Sequence, residues 1–158
     1  MKFKNLVLTL GVLMMLAFTS MAAAAPSQVN RSMTAAKAEI PAVCELVGYN
    51  VDGDTSIITF KDPNTLERYV VDVNTATAKV QEIEVKGATF VMGSTMVTKT
   101  PDDIEKIVLK NYPNAVITQG QDGNNIYYIA DFLTDKFDGE LKLDPVTGAI
   151  CERELEYF

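Results

Sequence analysis

The sequence predicts an α+β fold of two units, each an antiparallel β-meander with a helix packed on one face, the first helix being weak. Three observations predict it. Short β-branched and aromatic runs recur between turn signals along most of the chain. One amphipathic helix with clear start and stop residues stands between two sets of such runs. The turns also repeat. Asp72-Val73-Asn74-Thr75-Ala76 lines up with Asp144-Pro145-Val146-Thr147-Gly148, and Pro41-Ala42-Val43 with Pro113-Asn114-Ala115, each at an offset of 72. Asp52-Gly53-Asp54 matches Asp122-Gly123-Asn124 at an offset of 70. In the longer motif Asp can cap the turn, Thr can bond locally and Gly can supply a positive φ; Ala76 stands in the glycine's place in the first unit.

The first element is not part of the fold. Lys2 and Lys4 precede an apolar run from Leu6 to Phe18, and Ala22-Ala23-Ala24 offers the small residues a signal peptidase needs. Residues 1–24 therefore read as a signal peptide cut after Ala24. The run is short for a membrane span of roughly 20 residues, so no stable membrane anchor is expected after cleavage. The expected location is periplasmic or secreted.

Residues 25–34 are small and polar and read as a flexible lead-in. Ala35 to Ile40 is helix-compatible and stops at Pro41. Strands follow at Val43–Tyr49, Ser56–Phe60, Arg68–Val73 and Ala78–Val85, separated by turns at Asp52-Gly53-Asp54, Lys61-Asp62-Pro63-Asn64 and Asn74–Thr77. This makes residues 35–86 the first unit and 87–99 a connector. In the second unit, 100–158, Thr100 is an N-cap, Pro101 sits at N1 and Asp102 and Asp103 load the first turn. Ile104, Ile107, Val108 and Tyr112 share one face, and Pro113 ends the helix. Strands then follow at Ala115–Gln119, Ile126–Phe132, Gly139–Leu143 and Ala149–Tyr157. Tyr127 and Tyr128 must point to opposite sheet faces.

Composition excludes several chemistries. The chain has no histidine, which removes Ser-His-Asp and Cys-His catalysis and His-ligated zinc. Loss of Lys2 and Lys4 takes the formal charge from −7 to −9. Nucleic acid is therefore not an expected partner, since phosphate binding needs a basic face; a basic protein is the electrostatically sensible one. Cys44 and Cys151 have two readings: a disulfide closing most of the domain, worth about 4–5 kcal/mol for so long a loop, or two unpaired buried thiols. Asn50, Asp52 and Asp54 mimic the start of an EF-hand, but Thr55 and Lys61 stand where it needs Gly and Glu. Asp131, Asp135, Asp138 and Glu140 read as a solvated loop cluster, with weak calcium binding the lesser alternative. No carboxylate pair meets the geometric needs of acid–base catalysis, so no enzyme, catalytic residue or cofactor is expected.

The second half, TPDDIEKIVLKNYPNAVI, DGNNIYYIADF and GELKLDPVTGAICERE, resembles a PepSY domain: a capped helix ending in a YP-x-A junction, then a meander whose last hairpin carries a D-x-x-T-G turn. The likeness covers residues 98–156 and, as a degenerate copy, about 32–85. It implies a tandem exported binding module, non-catalytic, with a protease-inhibiting, chaperone-like or regulatory role outside the cytoplasm, the expected partner being a secreted or envelope protease. An open sheet and acidic surface would then provide the docking face, with a bare apolar patch of a few hundred Å² as a contact site. A structural, small-ligand or cation-binding envelope protein without a protease partner is the alternative.

Overall fold

Alternating sequence builds most of the molecule, and a computed structural model, which describes residues 26–87, 96, 98–123 and 127–158, shows how the alternating segments join. Helix α1 (Pro26–Ala38) leads into strands β1 (Glu45–Asp52), β2 (Thr55–Lys61), β3 (Arg68–Asn74) and β4 (Val80–Lys86). Helix α2 (Pro101–Asn111) leads into β5 (Val116–Gly123), β6 (Tyr127–Leu133), β7 (Phe137–Leu143) and β8 (Ile150–Tyr157). Residues 1–24, read above as a signal peptide, and most of the 87–99 segment read as a connector lie outside the described residues.

The eight strands form one antiparallel sheet in the order β1-β2-β3-β4-β8-β7-β6-β5. The two meanders meet where β4 pairs with β8, Ile83 opposite Leu155 and Val85 opposite Arg153. Both helices lie on the same sheet face, α1 over β2 and β3 and α2 over β5 and β6. One continuous core results, running from Ala36, Ile58 and Val71 through Ile83 and Leu155 to Phe132, Ile104 and Val108. The outer strands β1 and β5 each carry a register shift, after Leu46 and after Ile117 respectively. Such bulges disrupt the ladder and discourage edge-to-edge pairing.

The N-terminal segment departs from expectation. Most of residues 25–34, read as a flexible lead-in, belongs to α1. Its inward residues are Ser32 and Ala36, both fully buried, with Met33 and Ala35 beside them. Ser32 Oγ accepts from Ser56 Oγ at 3.3 Å, and Ser56 Oγ bonds the Tyr49 hydroxyl at 3.0 Å. Small residues let this helix lie close to the sheet, so its packing stripe is not an apolar one. Helix α2 follows the expected plan. Thr100 Oγ1 accepts from the Asp103 amide, and Asp103 Oδ2 accepts from the Thr100 amide at 3.0 Å, closing a capping box.

The repeat register also differs from expectation. Asp144 Oδ1 accepts from the Val146 and Thr147 amides at 2.9 and 2.6 Å, while Gly148 takes φ 75°. In the first half Asn74 does this, its Oδ1 accepting from the Ala76 and Thr77 amides at 3.1 and 3.0 Å. Ala78 takes the left-handed position, at φ 57°. The equivalent turn is therefore Asn74-x-x-Thr77-Ala78, offset by 70 rather than 72, and Ala78, not Ala76, replaces the glycine. The same loop occurs a third time between β2 and β3. There Asp62 Oδ1 accepts from the Asn64 and Thr65 amides at 2.7 and 3.2 Å, and Leu66 takes φ 63°. Asp62-Pro63-Asn64-Thr65 is in fact the nearer match to Asp144-Pro145-Val146-Thr147.

Of the two readings of the cysteines, the structure holds the unpaired one: both thiols are free and half-buried. Strand order accounts for it. Cys44 immediately precedes β1, which lies four strand steps from the β8 that carries Cys151, roughly 19 Å at the usual strand spacing.

Candidate functional site

Strand alternation sends one set of side chains under the helices and the other onto a face that no helix covers. Register across the central strands sorts the uncovered residues into rows. Asp72, Glu82, Glu156 and Asp138 stand side by side on β3, β4, β8 and β7. Beside them Glu84, Glu154, Glu140 and Asp131 do the same on β4, β8, β7 and β6. Directly opposed side chains on neighbouring strands have Cβ atoms about 4.5–5.5 Å apart. Two adjacent rows of carboxylates, with no basic residue among them, therefore cross the middle of the sheet.

The third row is mixed. Arg68, Lys86, Glu152 and Lys142 follow one another across β3, β4, β8 and β7. Lys86 Nζ reaches Glu84 at 2.6 Å and Glu152 at 3.7 Å, and Lys142 Nζ reaches Glu152 at 3.4 Å. The cations are thus spent at one end of the face. Ionisation in the acidic rows reflects this. Burial first, and then the neighbouring carboxylates Glu154, Asp72, Glu156 and Glu84, push Glu82 above the usual range. Asp72, Asp131 and Glu140 are raised in the same way, by burial and then by Glu84, by Asp138, and by Asp131 with Glu154 respectively. A hollow of about 310 Å³ opens here, lined by Thr118, Asp131, Asp138, Gly139, Glu140, Glu154 and Glu156.

Part of the cluster foreseen near the second meander is assembled. Asp131, Asp138 and Glu140 converge on the hollow, whereas Asp135 stays outside its lining. Glu154 and Glu156 of the last strand join them, which only the β7–β8 pairing could reveal. Among the described residues no group of three or more Cys, Asp or Glu side chains is arranged to hold a metal ion. The expected bare apolar face is instead carboxylate-rich at its centre. Tyr128 is buried under α2, and Tyr127 lies on the open face with Lys142 Nζ 4.7 Å from its ring centre.

A second concavity lies on the helical face. The central strands β4 and β8 have a helix on either side, and between the helices runs a cleft of about 450 Å³. Its floor is Ile83, Val85 and Leu155; Tyr69, Tyr112, Phe137 and Tyr157 line it with rings. Arg153 Nη1 lies 3.2 Å from Glu67 Oε1 inside it. The Tyr69 hydroxyl donates to Glu67 at 2.9 Å and the Tyr157 hydroxyl donates to Glu39 at 3.0 Å. Burial, together with those carboxylates, raises both phenols far above their usual range. Of these residues only Tyr112 was singled out by sequence pattern, as part of the packing face of α2 and not as a site residue. The available signal was Arg153, a charge at a core-facing position of a strand whose next core residue is Leu155.

Comparison with known proteins gave no match: no family model, no curated protein and no solved structure is significantly similar to this chain.

Proposed function

We propose that this chain is a non-catalytic exported protein that docks a basic protein partner on its open carboxylate face, the partner being a secreted or envelope protease. The single observation that supports it is the pair of cross-strand carboxylate rows. Like charges placed directly opposite each other destabilise a sheet, and a face arranged at such a cost suits a cationic partner that would neutralise it. Charge complementarity of this kind favours fast encounter and rejects anionic competitors. The PepSY resemblance of the sequence suggests the protease as partner class. The signal peptide supplies the compartment.

The test compares the secreted form with the triple variant Glu82→Gln, Glu140→Gln, Glu154→Gln in an assay of extracellular proteolysis at low and high salt. The reading expects the unaltered protein to lower proteolysis, the variant to do so at least tenfold less potently, and 0.5 M salt to erase the difference. That salt level shortens the screening length to a few Å, roughly a third of a nanometre to half of one. Equal potency of the two proteins would sink the docking face. No effect of either on proteolysis, with salt-sensitive binding to a basic protein retained, would remove the protease and keep the face.

A further inference from the structure

The cleft between the helices is not used by the docking reading, and it lies on the opposite side of the sheet from the carboxylate rows. Its volume of about 450 Å³ is ample for a small ligand or one long side chain, since ligand pockets usually run about 300–1,000 Å³. Its charges do not balance. Arg153 is engaged by Glu67 at 3.2 Å, so that pair is neutral overall. Glu39, exposed at the rim, has no basic partner among the described residues; it accepts only the Tyr157 hydroxyl, at 3.0 Å. Both helix C-termini also end at the cleft, α1 just before Glu39 and α2 at Asn111. Helix C-termini carry partial negative charge, which favours a cation.

The rings add to this preference. An aromatic face attracts a cation through its quadrupole, most strongly where water is excluded. Tyr69 and Tyr157 both donate their hydroxyl protons to carboxylates, which leaves more electron density in each ring. An anion would meet the uncompensated Glu39 carboxylate and a guanidinium already engaged.

We propose that this cleft binds an organic cation with an apolar shell, an alkylammonium or quaternary ammonium group, held by the tyrosine rings and neutralised by Glu39. Such a group can come from a free small molecule or from a lysine side chain of a partner protein. The chemistry at the cleft is the same in either case, and it rests on nothing in the docking reading.

The chain has six tyrosines and no tryptophan, and three of them, Tyr69, Tyr112 and Tyr157, line the cleft, so calorimetry is the primary readout and a change in tyrosine emission the second. The probes are choline, its neutral carbon isostere 3,3-dimethyl-1-butanol, and a short peptide with one trimethyl-lysine or one unmodified lysine. Choline or a lysyl peptide is expected to bind with a dissociation constant of about a millimolar or tighter, and the isostere about tenfold more weakly. Glu39→Gln, a change at an exposed position, should weaken the cation about fivefold or more at an unaltered melting temperature. Glu105→Gln, on the far side of α2, should leave binding unchanged. Tighter binding of choline identifies a free ligand as the source, and tighter binding of the peptide identifies a partner side chain. Equal affinity for choline and its isostere, an unaffected Glu39→Gln, or no cation bound by 10 mM would each overturn the proposal.

Discussion

The two faces of the sheet are made by the same strands and obey different rules. On β4, Ile83 and Val85 point under the helices while Glu82 and Glu84 point away; on β8, Leu155 is buried and Glu154 and Glu156 are exposed. The helical face follows burial, each residue packed against the next across one core. The open face departs from the usual pairing of opposite charges across strands, over two full rows. Proteins depart from local rules chiefly where function requires it. The difference therefore sets a face whose central strands follow burial against one held at an electrostatic cost, on which docking is proposed above, and each prediction below tests that division.

The largest effect belongs to the helical face. Phe132 is fully buried, stacks on Tyr112 at 4.6 Å and stands over Gly139. Phe132→Ala should cost about 3–5 kcal/mol, read as a lower midpoint in a denaturant titration followed by circular dichroism. Gly139→Ala should act in the same direction, because its Cβ would lie 2.3 Å from Phe132 Cζ. Asp131→Asn, next to Phe132 but on the other face, should not destabilise. Comparable losses for Phe132→Ala and Asp131→Asn would break the division between the faces.

The next effect distinguishes two copies of one turn. Gly148 sits at φ 75°, and a Cβ there would lie 2.7 Å from Ile107 Cδ1 on α2. Gly148→Ala should cost about 1–3 kcal/mol through backbone strain and the displaced helix contact. Ala78 holds the same conformation at φ 57°, so Ala78→Gly should stabilise by up to about 1 kcal/mol. Opposite shifts in melting temperature are expected; a destabilised Ala78→Gly would show that the first copy tolerates its alanine without strain.

Those turns show why sequence reading succeeds only in part. The strands were legible because alternation and turn residues are local signals, and α2 because Thr100, Pro101 and Asp103 carry its start signal. Helix α1 was hidden because Ser32 and Ala36, not large apolar residues, form its packing stripe. The offset of 70 was missed because Asn74 replaces aspartate in one copy, and only the amide bonds reveal the equivalence. The carboxylates were visible as Glu-x-Glu patterns within single strands. Their assembly was not, because β4 and β8 are more than sixty residues apart and their pairing is set by packing of the whole core. Arg153 and Glu67 meet for the same long-range reason.

The smallest effect comes from the open face itself. Glu82→Gln and Glu154→Gln should each stabilise by a few tenths of a kcal/mol, about the scale of one like-charge cross-strand contact. Acidity should act likewise. Glu82, Glu140, Asp72 and Asp131 have raised values in the folded state, by burial first and then by their acidic neighbours. Their ionisation therefore weighs against the fold above those values, and the penalty lifts as pH falls through them. Asp103 and Asp144 are lowered, chiefly by the backbone bonds of Thr100 and Thr147. Their contribution is present above the ordinary carboxylate value and is lost as pH falls through their lowered ones. Melting temperature should thus rise as pH falls from 7 toward the ordinary carboxylate range and decline once pH falls below that range. The double glutamine variant should flatten the rise and leave the decline unchanged, since the turn and cap aspartates remain. A rise of equal size in the variant would mean that the rows do not repel one another, and the open face would lose its claim to be held at a cost.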